Sequence, residues 1–163
     1  MRPSSPAHGP GSNPDFVRGV RLGVDVGTVR VGVARSDPHG ILATPVATLP
    51  RDETGGSDLA TLRDLVLEHE VVEVVVGLPR TLRGAVGPAA AAARSYGDRL
   101  SALIGPVPVV YVDERLTSVT ANRVLAERGI REKDRRSVVD QAAAVAILQI
   151  RLDAISAAQR SRG

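Results

Sequence analysis

The stretch Arg21-Leu22-Gly23-Val24-Asp25-Val26-Gly27-Thr28-Val29-Arg30-Val31-Gly32-Val33-Ala34 constrains the fold more than any other part of the chain. Two apolar runs flank a short polar interval, which reads as a strand, a tight turn and a second strand. Asp25 interrupts the first run. In an apolar strand a carboxylate costs free energy unless it is paired or binds a metal. Gly23 and Gly27 stand two residues to either side, and alternate residues of a strand share a face. That face is therefore nearly bare beside the carboxylate, a feature that accompanies close approach of a ligand or another backbone. A bare carboxylate with open space next to it suits metal-assisted phosphate chemistry. The plainer alternative is a turn aspartate that only orders its own hairpin.

The remainder of the chain must bury this hairpin. At 163 residues it can form one domain with a sizeable core. Cysteine is absent, which excludes disulfides and thiolate metal sites. All but one of the 21 basic residues are arginine, and more than half lie from Arg80 onward, although the formal net charge is only +3. Such a domain can meet a phosphate backbone. With 2% aromatic residues it is poorly equipped to stack bases on aromatic platforms. No apolar run is expected to reach membrane-spanning length, and the N-terminus lacks the apolar region of a signal peptide. The expected location is cytoplasmic with no membrane contact, and the expected state a monomer or homodimer.

Residues 1–18, rich in Pro, Gly and Ser, read as a disordered tail, residues 19–157 as one domain and 158–163 as a flexible C-terminal tail. Strands are expected at 21–26, 31–36 and 41–49, forming an antiparallel meander. A loop at 50–57 precedes a helix at 58–69 with Leu59, Leu62 and Val66 on one face. Residues 71–76 read as a strand buried on both faces, ended by Gly77-Leu78-Pro79. After a loop, Pro88 opens a helix that fills 89–103. A fifth strand at 108–112 leads into Asp113-Glu114-Arg115. Thr117 or Ser118 can cap a helix reaching Arg128, with Gly129 as its stop. A charged loop is expected at 131–136. Ser137-Val138-Val139-Asp140 then has the form of a capping box for a very apolar last helix at 138–155. The expected architecture is α/β, a mixed five-stranded sheet flanked by helices.

In open α/β sheets, sites form at the carboxyl ends of the parallel strands. The first strand delivers Asp25 there, the fifth delivers Asp113 and Glu114, and the last helix can add Asp140. Oxygen-only donors favour Mg²⁺ or Mn²⁺. Two such ions about 3.5–4 Å apart can activate water and stabilise the leaving oxygen in phosphodiester cleavage. Each acid also has a structural alternative. Asp140 can simply cap its helix, and Asp113 and Glu114 can pair with Arg115 or cap the following helix. The charged loop, with Arg128, Arg131, Lys133, Arg135 and Arg136, is expected to touch a nucleic-acid backbone.

Taken in order, residues 23–34, then Val76-Gly77-Leu78-Pro79, then Asp113-Glu114-Arg115-Leu116-Thr117-Ser118, then Asp140-Gln141-Ala142-Ala143-Ala144-Val145-Ala146-Ile147-Leu148 resemble the YqgF/RuvX family. The resemblance implies a ribonuclease H-like fold. It also implies a nuclease of 5′-end maturation of pre-16S ribosomal RNA, related to Holliday-junction resolvases. The implied partners are precursor 16S rRNA or ribosomal particles, with branched DNA as a further substrate. The implied triad is Asp25, one acid of the Asp113–Glu114 pair, with Glu114 favoured, and Asp140. Arg30 and Arg115 match motif arginines that could hold phosphates. Three departures stand out. Arg83 takes the place of an acid in the loop after Pro79, making that loop more attractive to phosphate. Thr117-Ser118 replaces Thr-Thr. The end of the fourth strand, where ribonuclease H relatives generally carry an acid, has none.

Two other functions compete. Asp25-Val26-Gly27-Thr28 also looks like a phosphate loop of actin-like ATPases and sugar kinases, but those bind nucleotide between two domains. A catalytically inactive RNA-binding module for ribosome assembly would share the charge pattern without responding to metal.

Overall fold

The computed structural model describes residues 17–79, 87–114 and 132–162, with residues 132–140 and 162 described only through the helix they belong to. The hairpin forms as expected. β1 (Arg21–Val26) pairs antiparallel with β2 (Arg30–Ser36), placing Asp25 opposite Gly32. β2 pairs antiparallel with β3 (Ala43–Pro50), with a register shift at Val33/Ala34. β1 also pairs in parallel with β4 (Glu73–Leu78), and β4 in parallel with β5 (Val109–Asp113). The sheet order is β3-β2-β1-β4-β5.

Most boundaries differ from the sequence expectation by one or two residues, the last helix runs to Arg162 through the segment expected as a flexible tail, and two strand limits bear on the site. β4 runs to Leu78 instead of stopping at Val76, because Gly77 and Leu78 continue to pair with Val112 and Asp113. β3 begins at Ala43, leaving Ile41 and Leu42 exposed.

Alternation divides the core between the two faces of the sheet. On one face Leu22, Val24, Val74, Val76 and Leu78 pack against α1 (Ser57–Glu68) and α2 (Pro88–Ile104). α1 buries Leu59, Leu62 and Val66, the stripe its periodicity predicts. On the other face Ala34 and Val75 meet Ala144, Ile147, Leu148 and Leu152 of α3 (Glu132–Arg162). Burial of Ile147, Leu148 and Leu152 contributes about 1.5–3 kcal/mol each. α3 approaches β1 closely at Gly23. A Cβ there would lie 2.6 Å from Leu148 Cβ and 2.7 Å from the Ala144 carbonyl oxygen.

The start of α3 overturns two expectations. Residues 132–136, expected in a charged loop, belong to the helix, and Ser137 stands more than a turn inside it. The run from Glu132 to Arg136 contains no Gly or Pro to stop a helix. Ser137-Val138-Val139-Asp140 is therefore not a capping box. A third expectation fails on length. The segment Gln141–Ser161 is long and apolar enough to cross a membrane. Its buried residues instead face the sheet.

Candidate active site

Asp25 is the penultimate residue of β1 and is half-buried. It shares the face of Gly23, which α3 covers. The antiparallel register sets Gly32 beside it, with Thr48 of β3 beyond. The parallel register pairs Val24 with Val76, which brings Gly77 alongside Asp25, and Gly77 pairs with Val112. Asp25 thus has glycine at 23 and 27 along its own strand and glycine at 32 and 77 on the neighbouring strands. No Cβ intrudes on the carboxylate from any of the four directions.

The bare position at Gly77 is used. A Cβ built on Gly77 would lie 2.8 Å from Glu114 Cγ and 2.9 Å from Glu114 Oε1, and would also meet Ile147 Cδ1. The Glu114 side chain therefore lies across the end of β4, on the α3 face that carries Asp25. The acid that β4 itself lacks reaches the same place from the end of β5. Asp113 pairs with Leu78, whose side chain is in the core on the α1–α2 face. Strand alternation puts Asp113 on that face with Tyr111, away from Asp25.

α3 runs antiparallel to β1, since Ala144 and Leu148 sit over Gly23 and Arg151 reaches Glu73 at the start of β4. Asp140 lies one turn before Ala144, toward the end of β1 where Asp25 stands. Its position inside α3 removes the N-terminal capping alternative. The neighbouring Gln141 donates from Nε2 to Thr48 Oγ1 at 3.0 Å, tying this part of α3 to β3.

The turn after Asp25 is tight. The Gly27 N–H donates to the Arg30 carbonyl at 2.9 Å, and a Cβ on Gly27 would lie 2.6 Å from that oxygen. Arg30 opens β2, half-buried, at this end of the sheet. Arg51 follows β3 and donates from Nη1 to the Gly27 carbonyl at 2.7 Å. Its guanidinium lies 5.0 Å from the Tyr96 ring centroid, within cation–π range. The Tyr96 hydroxyl donates to Asp58 Oδ2 at 3.0 Å. Burial, and next the Asp58 charge, push the Tyr96 hydroxyl well above its ordinary pKa.

Sequence reasoning proposes Asp25, Glu114 and Asp140 as site residues and does not single out Gly32, Gly77 and Arg51. Gly32 was accessible through the hairpin register. The place of Gly77 depends on parallel pairing between strands far apart in sequence, and Arg51 carries no motif. Arg83 and Arg115 lie outside the described residues. Lys133, Arg135 and Arg136 fall in the first turns of α3. Among the described residues no cluster of three or more possible metal ligands forms, and the side chain of Asp140 is not among those described.

The chain is similar to known proteins. A solved structure titled "T. thermophilus RuvC in complex with Holliday junction substrate" matches with a TM-score of 0.55 at 18% identity, covering 86% of this chain and 95% of that one. This likeness shows a ribonuclease H-like fold. A protein of Mycobacterium ulcerans named "Putative pre-16S rRNA nuclease" is 55% identical over 151 residues, 93% of this chain and 88% of its own length. A protein of the same name from Rhodococcus opacus is 56% identical over 139 residues, 83% of this chain and 78% of its own length. The family model described as "RuvX: Holliday junction resolvase" matches residues 19–154, and the chain belongs to the RuvX family.

Proposed function

We propose that this chain is a divalent-cation-dependent nuclease that hydrolyses phosphodiester bonds in the 5′-end maturation of precursor 16S rRNA. Asp25, Glu114 and Asp140 form its metal-binding and catalytic set, and Glu114 rather than Asp113 is the acid that the end of β5 contributes. The observation that carries this reading is the Glu114 carboxylate lying across Gly77 on the face of Asp25. Two acids brought together from β1 and β5 repel each other and favour a bound cation. The donors are hard oxygens suited to Mg²⁺ or Mn²⁺. When bound, such ions supply an activated water and stabilise the leaving oxygen.

The chain's own groups do the remaining work. Asp25 and Glu114 hold their carboxylates on a rigid sheet, which limits reorganisation during the reaction. Gly23 lets α3 close on β1, and Gly77 lets the Glu114 side chain lie across β4. Arg30, Arg83 and Arg115 hold flanking phosphates, and Lys133, Arg135 and Arg136 extend that contact from the start of α3. We take residues 19–157 as the catalytic unit, acting in the cytoplasm on ribosomal precursor particles as a monomer or homodimer.

The deciding experiment incubates the purified full chain with a precursor 16S transcript and Mn²⁺, beside Asp25→Asn. The expected result is cleavage by the wild type, abolished by EDTA and by the substitution. Equal cleavage by both proteins removes the acid-centred mechanism, and no cleavage by either favours a binding module. A four-way DNA junction in the same assay tests the resolvase activity named for the family.

A further inference from the structure

We propose that Arg51 is a positioning residue for the nuclease site: it clamps the turn from Gly27 to Arg30, and so fixes where β1 delivers Asp25 and where β2 begins. This role extends the nuclease reading above and depends on it for its catalytic consequence.

Arg51 grips the turn on both sides. Its backbone N–H donates to the Val29 carbonyl at 2.8 Å, carrying the β2–β3 ladder past its last pair, Arg30 with Pro50. Its Nη1 donates to the Gly27 carbonyl at 2.7 Å, two residues beyond Asp25. The turn's own closure is the bond from the Gly27 N–H to the Arg30 carbonyl. Thr28 and Val29 at its tip are exposed and give it little packing.

The clamp is braced from behind. The Arg51 side chain is only 12% exposed, whereas Glu53, its carboxylate neighbour at 3.8 Å, is 72% exposed and holds it weakly. The stronger support is the Tyr96 ring beneath the guanidinium. Tyr96 is fixed in turn by its bond to Asp58, and both are buried. Among the described residues Asp58 Oδ1, below the Arg51–Tyr96 stack, has no hydrogen-bond partner. A half-enclosed guanidinium that spends its shortest hydrogen bond on the turn carbonyl leaves the turn few other positions. Misplacing a reacting group by about 1 Å can cost about a hundredfold in rate.

The test compares wild type, Arg51→Met and Arg51→Lys in the full chain by two readouts. The first is hydrogen exchange at the Gly27 amide, with the Val75 amide of the core as reference. The second is kcat and KM for Mn²⁺-dependent cleavage of the precursor 16S transcript, corrected for folded fraction by thermal melting. Arg51→Met is expected to speed Gly27 exchange about tenfold or more relative to Val75. It should lower kcat about ten- to hundredfold while KM stays within about twofold. Arg51→Lys keeps one charged donor and should recover part of both losses. Unchanged exchange at Gly27, or a kcat loss no larger than the loss of folded protein, overturns the proposal. If Arg51→Met does not fold, Arg51→Lys carries both readouts, with smaller changes in the same direction expected. If the wild type itself does not cleave, the nuclease reading falls, while exchange at Gly27 still decides whether Arg51 holds the turn.

Discussion

The two ends of the central strands make opposite use of the same geometry. Arg21, Gly23 and Asp25 share one face of β1, Glu73, Val75 and Gly77 share that face of β4, and α3 crosses both strands. At the N-terminal end, Arg21 Nε meets Glu73 Oε1 at 3.2 Å, with side chains 4% and 5% exposed. Arg151 of α3 adds a two-pronged contact to Glu73, Nε to Oε1 and Nη2 to Oε2, each at 2.9 Å. Arg21 donates further to the Val17 carbonyl, and its backbone N–H donates to Ser36 Oγ. At the C-terminal end the acids Asp25 and Glu114 share the face, with glycines at the neighbouring positions of the sheet. Opposite charges close one end as structure. Like charges gather at the other, where they favour a bound cation.

If this contrast holds, breaking the closed end damages stability and leaves chemistry alone. Glu73→Ala leaves the buried Arg21 without its carboxylate, and removing one partner of a buried pair costs about 3–5 kcal/mol. Urea unfolding should show that loss, while cleavage per folded molecule and its Mn²⁺ dependence stay as in the wild type. A variant of normal stability that has lost its metal response would show that the two ends are coupled.

Substitutions at the open end should do the reverse. Glu114→Gln should lower kcat about a hundredfold or more, since even outer partners of metal ligands cost about 10–100-fold. Asp113→Asn, on the other face, should stay within about threefold on the same comparison of rates. Both are read from single-turnover cleavage with Mn²⁺. A larger loss for Asp113→Asn would reverse the assignment that strand alternation supports.

Gly77→Ala sharpens the comparison further. The new Cβ would press on Glu114 Cγ, Glu114 Oε1 and Ile147 Cδ1. Glu114 must swing aside and the fully buried Ile147 must repack, an overpacking that costs about 1–3 kcal/mol while the sheet survives. Moving Glu114 should slow cleavage about tenfold or more, beyond what the lost stability explains. Cleavage that tracks folded fraction alone would mean that Gly77 matters only for packing.

These contrasts were unevenly legible in the sequence. The hairpin, α1 and α2 followed from alternation, helical periodicity and Pro88, which are local signals. Asp25 announced itself because a carboxylate in an apolar strand between glycines is costly without a purpose. The ion cluster did not announce itself: Arg21 and Glu73 meet only through the parallel register of β1 and β4. Gly77 misled for the same reason, reading as the end of a strand when it is a paired member of one. Choosing between Asp113 and Glu114 needed the β4–β5 register, which no local pattern encodes. At the start of α3, charge density imitated a loop, although the segment lacks a helix breaker.

The smallest expected effect concerns loop aspartates, one at each end. Asp37, at the closed end, is pushed up most by burial, but the N–H groups of Leu42, Ile41 and His39 together outweigh this and hold it below its ordinary value. At the open end, Asp52 accepts from Ser57 Oγ at 2.7 Å, from the Gly55 N–H at 2.8 Å and from the Ser57 N–H at 3.0 Å. It thereby supplies the N-terminal cap that Gly56 cannot give to α1. These bonds, the Ser57 hydroxyl foremost, pull Asp52 down from 3.8 to about 2. A depressed folded-state pKa contributes stability above the unfolded value that is lost as pH falls through the folded one. The Asp52 contribution should therefore be complete above pH 3.8 and fade toward pH 2. Asp37 titrates low as well, so the informative quantity is the Tm difference between wild type and Asp52→Asn, in which Asp37 cancels. That difference should be level above about pH 4 and shrink steadily as the pH approaches about 2. A difference that stays constant across this range would show that the cap works equally well protonated, and that charge at this loop does not help to hold α1 beside the site.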